Sequence, residues 1–457
     1  MALTATCVGE VNTGGNDLNA GFYDGSLGTA GGTNDRAFNN SPIIVDGTTI
    51  SAVVHTTVTQ VNVTGYTVVA GDVGNVFRVT GGTGTAGLYR ITVVDTVNNR
   101  WTVDVTPGAA AVTLTGRFGG ACLTPGQIWG LAVSGCWVYA KGSTTLSSST
   151  ANVAGGYVVM PNGTSAVNVT RFIGYTTTRG DGGRYTITNA AFAVGSVLSS
   201  GYACAVDNFL VNGNSQKVIA FTILADSRAM NCRAINLTGG TIAFSGGGTC
   251  FSCEVETMTG STGNYGFTTA SYFCTVKSCS GVGFNASPSI GCIANGCNIG
   301  FDITGYMTII GCTAYNGTSD GFRFASASGE KAETAINCIS SNNAGWGFNV
   351  NTLASNVQLI NCAHFTNTSG GMRTANLTNA AMQNVNPTAL SASPFVSAGT
   401  NFGLNSTAGG GAACKATTVT FAGLSPTVSR PDLGAVQTLG GTSGAAISLI
   451  GNGGLIG

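Results

Sequence analysis

Glu254 and Glu256 form the one close acidic pair in the repetitive second half of this chain. Glycoside hydrolysis needs two carboxyl groups about 5–9.5 Å apart. Lyase chemistry would ask instead for a Lys or Arg base beside acidic calcium ligands. Few acids are available for either: Asp207, Asp226, Glu254, Glu256, Asp302, Asp320, Glu330 and Glu333. Repeat offsets set several of them against bases one turn of the repeat away, Arg233 against Glu254, Glu256 against Lys277, and Asp302 against Arg323. Such neighbours read as surface pairs that fix register. No catalytic residue is therefore assigned, and Glu254 with Glu256 stands as the candidate dyad. Asp320, before Gly321, reads as a turn residue that bonds local backbone.

Other constellations also favour plain structural readings. Cys250 and Cys253 make one CxxC, but no second pair follows at zinc spacing, and the two histidines are His55 and His364. No metal site is assigned. His364 falls on an inward row and reads as an interior residue. Arg179-Gly180-Asp181 spells an integrin-type tripeptide, yet Gly182-Gly183 after it favours a tight turn. Gly81-Gly82-Thr83-Gly84 lacks the Lys-Ser/Thr and the following helix of a phosphate loop. No cofactor is implied.

The elements that must position these residues are set by composition and repeat. Of 457 residues 70 are glycine, and 8% are charged against about 25% in ordinary soluble domains. Lys plus Arg equals Asp plus Glu at 18 each. A nucleic-acid binder working through a basic stripe is excluded, because phosphate neutralisation needs clustered Lys and Arg. With 43% apolar residues the chain can bury a core, so disorder is excluded too. No apolar run is long enough for membrane insertion. The N-terminus lacks a basic region and a continuous apolar run, so no signal peptide is expected, which fits a protein assembled where it was made.

Between residues 230 and 375 a unit recurs: a small or polar residue, Cys, about nine residues, then Gly-Phe. The cysteines are Cys232, Cys253, Cys274, Cys292, Cys312, Cys338 and Cys362, spaced 18 to 26 residues apart. This period, with short β-like runs between Gly/Asn turns, predicts a parallel β-solenoid whose equivalent residues stack at ~4.8 Å. The cysteines then form an inward ladder of free thiols. Two residues on, Ala234, Val255, Val276, Ala294, Ala314, Ser340 and His364 point the same way. The intervening row, from Arg233 and Glu254 to Ile339 and Ala363, suits an outer face. Phe267, Phe284, Phe301, Phe322 and Phe348, at Gly-Phe turns, predict a second interior ladder. Asn343 and Asn367 suit turns whose amides bond the coil above. The longest coil, Cys312 to Cys338, extrudes a charged island at Ser328–Thr334, placed as a solvated loop.

Four regions follow: 1–49, an arm or cap; 50–118, a Val-rich antiparallel module with an Asn98-Asn99 hairpin turn; 119–385, the solenoid; and 386–457, a C-terminal cap and apolar tail. The tail after Asp432 carries no charge but holds Val436, Leu439, Ile447, Leu449, Ile450, Leu455 and Ile456. It is the segment expected to drive assembly.

The run Val133-Ser134-Gly135-Cys136-Trp137-Val138-Tyr139-Ala140-Lys141-Gly142, followed by Ile173-Gly174-Tyr175, resembles the opening coils of pectate-lyase-like right-handed parallel β-helices. Cys136 stands where that family commonly has Asp. Arg430-Pro431-Asp432-Leu433-Gly434-Ala435 resembles the closing segment of many surface β-helix proteins, and residues 12–25 are similar to β-helix structural proteins of tailed bacteriophages. The resemblance implies an all-β fold, a right-handed parallel β-helix with a small N-terminal antiparallel β module. It also implies a virion protein, such as a tail spike or fibre or a head fibre or decoration. Its partners would be itself as a homotrimer, other virion proteins and host surface polysaccharide. A β-helix polysaccharide lyase or glycoside hydrolase is the alternative, and a secreted surface protein a third.

Overall fold

The computed structural model describes residues 7–27, 34–35, 48–132, 134–146, 158–163, 169–189, 194–285, 288–304, 307–325, 332–350, 356–373 and 387–415. The chain is all-β, a parallel β-helix with a small closed antiparallel barrel. It divides into two compact units, Met1–Ile235 with Gly246–Gly248, and Asn236–Ser245 with Thr249–Gly457.

In the first unit the strand Cys7–Asn12 already lies in the solenoid. It runs parallel to Trp137–Lys141, with Glu10 level with Tyr139. Thr170–Tyr175, Cys204–Asp207 and Arg228–Met230 continue this first sheet. The second sheet includes Ser143–Leu146, Tyr185–Asn189 and Phe209–Gln216, and the third Val158–Val159, Val194–Ser199 and Val218–Thr222. The barrel, Thr48 to Phe118, thus falls in the chain between the parallel neighbours Cys7–Asn12 and Trp137–Lys141. Its six strands close on one another, which leaves no open edge. Trp101 fills its centre, 4.7 Å from the Phe118 ring, and donates through Nε1 to Asp72 at 3.0 Å. The Asn98-Asn99 turn is formed with Asn99 at φ +54° and Asp95 accepting from the Val97 and Asn98 amides.

A short helix, Pro125–Leu131, was not legible in the sequence. Pro sits at its start, and Thr124 Oγ1 accepts from Gln127 N at 3.3 Å. Ile128 and Trp129 are buried, and Trp129 meets Phe172 edge-on at 5.0 Å.

The second unit holds the regular coils. Its first sheet runs through Thr249–Phe251, Ala270–Tyr272, Ser289–Ile290, Thr308–Ile310, Ala332–Ile336 and Asn356–Ile360. The second sheet starts at Glu254–Thr259 and ends at Ala363–Phe365 with Thr388–Ala389 added. In the third sheet Phe244, Phe267, Phe284, Phe301, Phe322 and Phe348 stack 4.7–5.1 Å apart and within 9° of parallel.

Each feature of the repeat has a physical cause. The residue before each cysteine turns the chain through the left-handed region: φ is +57° at Gly311, +54° at Asn337 and +51° at Asn361. Gly and Asn are the residues that enter it most readily. The cysteines that follow are buried and free, and their thiols donate to carbonyls of a neighbouring coil, as Cys292 does to Ser271 at 3.4 Å. Gly-Phe is not a turn but part of the third-sheet strands, as in Tyr265–Phe267 and Ile299–Ile303. Glycine is required there because a Cβ on Gly300 would lie 2.5 Å from the Gly321 carbonyl and 2.9 Å from Ala314 Cβ. Five residues after their cysteines, Asn343 Nδ2 donates to Asn367 Oδ1 at 2.9 Å, and Asn343 Oδ1 accepts from Gly317 N at 2.8 Å.

The intervening row departs from a plain outer face. Thr313, Ile339 and Ala363 are fully buried, because Phe395, Phe402, Leu404 and Cys414 of the C-terminal segment pack with Ile339 and Ala363. The assembly role read into the tail after Asp432, and the motif at 430–435, lie outside the described residues.

Candidate functional site

The acids singled out in the sequence do not converge. Glu256 is level with Lys277 across the second sheet, but the Lys277 ammonium turns to Glu254 Oε1. That contact ties up one half of the candidate dyad. Asp302 binds Arg323 through two parallel hydrogen bonds of 2.8 and 2.7 Å. Asp320 does not bond its own turn: it accepts from Trp346 N at 2.8 Å and Asn349 Nδ2 at 2.6 Å, both one coil on. Glu333, read into the extruded island, lies in the strand Ala332–Ile336 level with Val357 and is fully buried, an inward position rather than a loop. His364 is half-buried rather than interior, and burial lowers its pKa. Cys250 meets Thr269 Oγ1 at 3.2 Å, and no group of three metal-ligating side chains occurs among the described residues.

The tripeptide Arg179-Gly180-Asp181 is a turn, and its two charged ends do different things. Asp181 accepts from the Thr176, Thr177, Thr178 and Gly183 amides, and those bonds hold its pKa down at about 2. Arg179 turns inward, so the tripeptide is not presented as a recognition loop.

Arg179 belongs to a buried ionic cluster that the sequence did not reveal. Glu10 is wholly shut off from water, and its Oε1 accepts from the Tyr175 hydroxyl. Its Oε2 accepts from Arg179 Nε at 3.1 Å and Nη2 at 2.9 Å. Arg179 Nη1 reaches Asp35 Oδ2 at 3.1 Å, and the guanidinium lies 4.7 Å from the centre of the Tyr139 ring. Burial, opposed by Arg179 and Tyr175, pushes the Glu10 pKa up to about 7. A carboxyl poised near neutrality suits acid catalysis in principle. Here its hydrogen-bonded oxygens have no exposed face for a substrate, so the cluster ties together the first strand, Asp35 and the 176–183 turn.

Beside the cluster lies the outward side of the first sheet, where Trp137 is part-exposed while Glu10 and Ala205 are covered. One outward row reads Val8, Trp137, Arg171, Ala205, Arg228, and the next reads Glu10, Tyr139, Ile173, Asp207, Met230. Trp137 is 37% exposed, and the Arg171 guanidinium lies 4.3 Å from its ring centre. Asp207 accepts from Asn231 Nδ2 at 3.1 Å, and burial raises its pKa. The strand positions explain this composition. Alternation puts Val138, Phe172 and Val206 into the core, which leaves the residues between them, aromatic and arginine, on the outside. Flat aromatic surface next to hydrogen-bond donors is what stacks on and grips sugar rings.

No protein-family model and no curated protein matches this chain. Among solved structures it is similar to a pectate lyase, at 14% identity over 69% of this chain and 91% of that one, with a TM-score of 0.39. It is also similar to a rhamnogalacturonan lyase, at 14% identity over 55% of this chain and 70% of that one, TM-score 0.37. A third is the catalytic domain of a GH87 α-1,3-glucanase in complex with nigerose, at 11% identity over 75% and 89%, TM-score 0.30.

Proposed function

We propose that this chain is a non-catalytic, glycan-binding structural solenoid, acting as a surface component of a tailed-phage particle. The observation that carries glycan binding is the outward face around Trp137, with Tyr139, Arg171, Asp207 and Arg228 set out at rung spacing on a rigid sheet. The case against catalysis is that the acids lie apart or are held. Glu10 is closed in, Glu254 is bonded by Lys277, and Asp302 is forked to Arg323. The virion role draws on the resemblance of residues 12–25, together with the Val-rich module, to phage β-helix proteins.

Self-association, as a homotrimer, is part of the same reading. Along the first sheet of the second unit Phe251, Tyr272, Ile290, Ile310, Ile336 and Ile360 make one outward row, level from strand to strand. Copies of this chain can meet along a row without charge without burying an unpaired ion.

The test is retention of the full chain on immobilised cell-envelope polysaccharides, wild type against Trp137→Ala. Loss of ~1–2 kcal/mol, about five- to thirtyfold in affinity, is expected for removing a stacking aromatic. Equal retention of the two proteins would move the binding face elsewhere.

A further inference from the structure

We propose that Phe273 is the anchor of self-association, an aromatic side chain that packs into the first-sheet face of a neighbouring copy of this chain. The inference rests on the self-association reading above and names the contact that carries it.

Phe273 precedes Cys274 at the corner where the first sheet passes to the second. This corner needs the left-handed region, and Ser252, Gly291, Gly311, Asn337 and Asn361 enter it at the equivalent positions with φ from +50° to +64°. Gly and Asn take that conformation most readily. Phe273 adopts φ +57°, where a bulky side chain is an outlier that costs stability. The backbone is fixed on both sides. Phe273 N donates to Ile290 O at 2.8 Å, and the buried Cys274 thiol donates to Tyr272 O at 3.4 Å. The solenoid thus dictates the conformation but not the residue type, and glycine or asparagine would suit the corner better.

Burial of the ring is incomplete. Phe273 is 44% exposed, and among the described residues of the second unit Val396 is the one other large apolar side chain left exposed. A strained corner that presents an aromatic side chain to water points to a contact beyond this chain. Its surroundings say of what kind. Tyr272 stacks on Phe251 with ring centres 5.0 Å apart and planes 17° from parallel. Both begin the outward row that continues through Ile290 and Ile310. The outward row beside it, with Thr249, Ala270, Thr308, Thr334 and Gln358, holds no charge either. Phenylalanine has no polar atom, so it gains by leaving water for apolar surface and not by hydrogen bonding. Each copy carries both the ring and the charge-free face beside it, which is what a closed symmetric assembly requires.

The experiment measures the mass of the full chain by light scattering across a concentration series, for wild type, Phe273→Asn, Phe273→Tyr and Ile310→Lys. Thermal unfolding is compared between Ile310→Lys and the double variant Ile310→Lys with Phe273→Asn, so that strain is read apart from assembly. Wild type is expected to be multimeric, Phe273→Asn to dissociate at least about tenfold more readily, and Phe273→Tyr to keep the wild-type mass. Adding Phe273→Asn should also raise the unfolding midpoint, by about 2–4 °C, because Asn suits the corner. If Ile310→Lys is a single chain while Phe273→Asn stays multimeric, the anchor is overturned and the self-association reading stands. A single-chain mass for wild type at every concentration overturns both. A lower midpoint on adding Phe273→Asn would assign the ring to the fold. Unchanged mass of Phe273→Asn with lost retention on cell-envelope polysaccharide would assign it to glycan. Either result overturns the anchor.

Discussion

Glu10 shows how far a single residue can escape a reading of the sequence. It sits in a stretch rich in Gly, Asn and Thr, and its partner Tyr175 is 165 positions away, so no local pattern marks it as buried. Its burial has a thermodynamic consequence. The folded pKa is raised from 4.5 to about 7. Between those values the folded state holds a proton that the unfolded chain has released, so stability is fullest below about pH 4.5 and falls as pH rises to about 7. The shift corresponds to up to ~3 kcal/mol. Thermal unfolding followed by tryptophan fluorescence reports the right unit, since Trp101, Trp129 and Trp137 lie in it. The melting temperature should fall across that window in wild type and be flatter in Glu10→Gln. A wild-type slope no steeper than that of the variant would show that the carboxyl is not perturbed.

At the level of the element, the solenoid was legible because its constraints repeat. A thiol at the same corner recurs from Cys232 to Cys362, a phenyl ring at the same place in all but the last coil, and Gly or Asn before the cysteine in all but two, where Ser252 and Phe273 stand. The function of one mark was misjudged: Gly-Phe read as a turn because glycine is common in turns, whereas its glycine serves the close approach of coils inside the strand. Substituting Gly300 with Ala puts a methyl 2.5 Å from the Gly321 carbonyl, a backbone atom that cannot swing aside. A loss of ~1–3 kcal/mol is expected, read as a lower urea midpoint with Trp346 fluorescence as the probe. An unchanged midpoint would mean that the coils can part without cost. The candidate face was less legible than the core. Alternation fixes which residues of a strand point outward, but only the register between coils shows that Arg171, Ala205 and Arg228 share a row.

At the scale of the whole molecule the account makes two claims, association and binding without cleavage. The apolar row from Phe251 to Ile360 spans six strands of one sheet. Placing a charge in its middle with Ile310→Lys should lower the mass measured by light scattering to that of one chain while leaving the β-sheet circular dichroism unchanged. Unaltered multimeric mass would assign assembly to another surface. Binding without cleavage is tested most directly by one measurement. Fluorescently end-labelled cell-envelope polysaccharide is incubated with the full chain, the bound fraction is eluted, and its chain length is compared by size-exclusion chromatography with untreated material. The account predicts that polysaccharide is retained and elutes at its original length. Shortened chains, above all shortening that disappears in Glu10→Gln or Glu254→Gln, would contradict it and make this solenoid an enzyme.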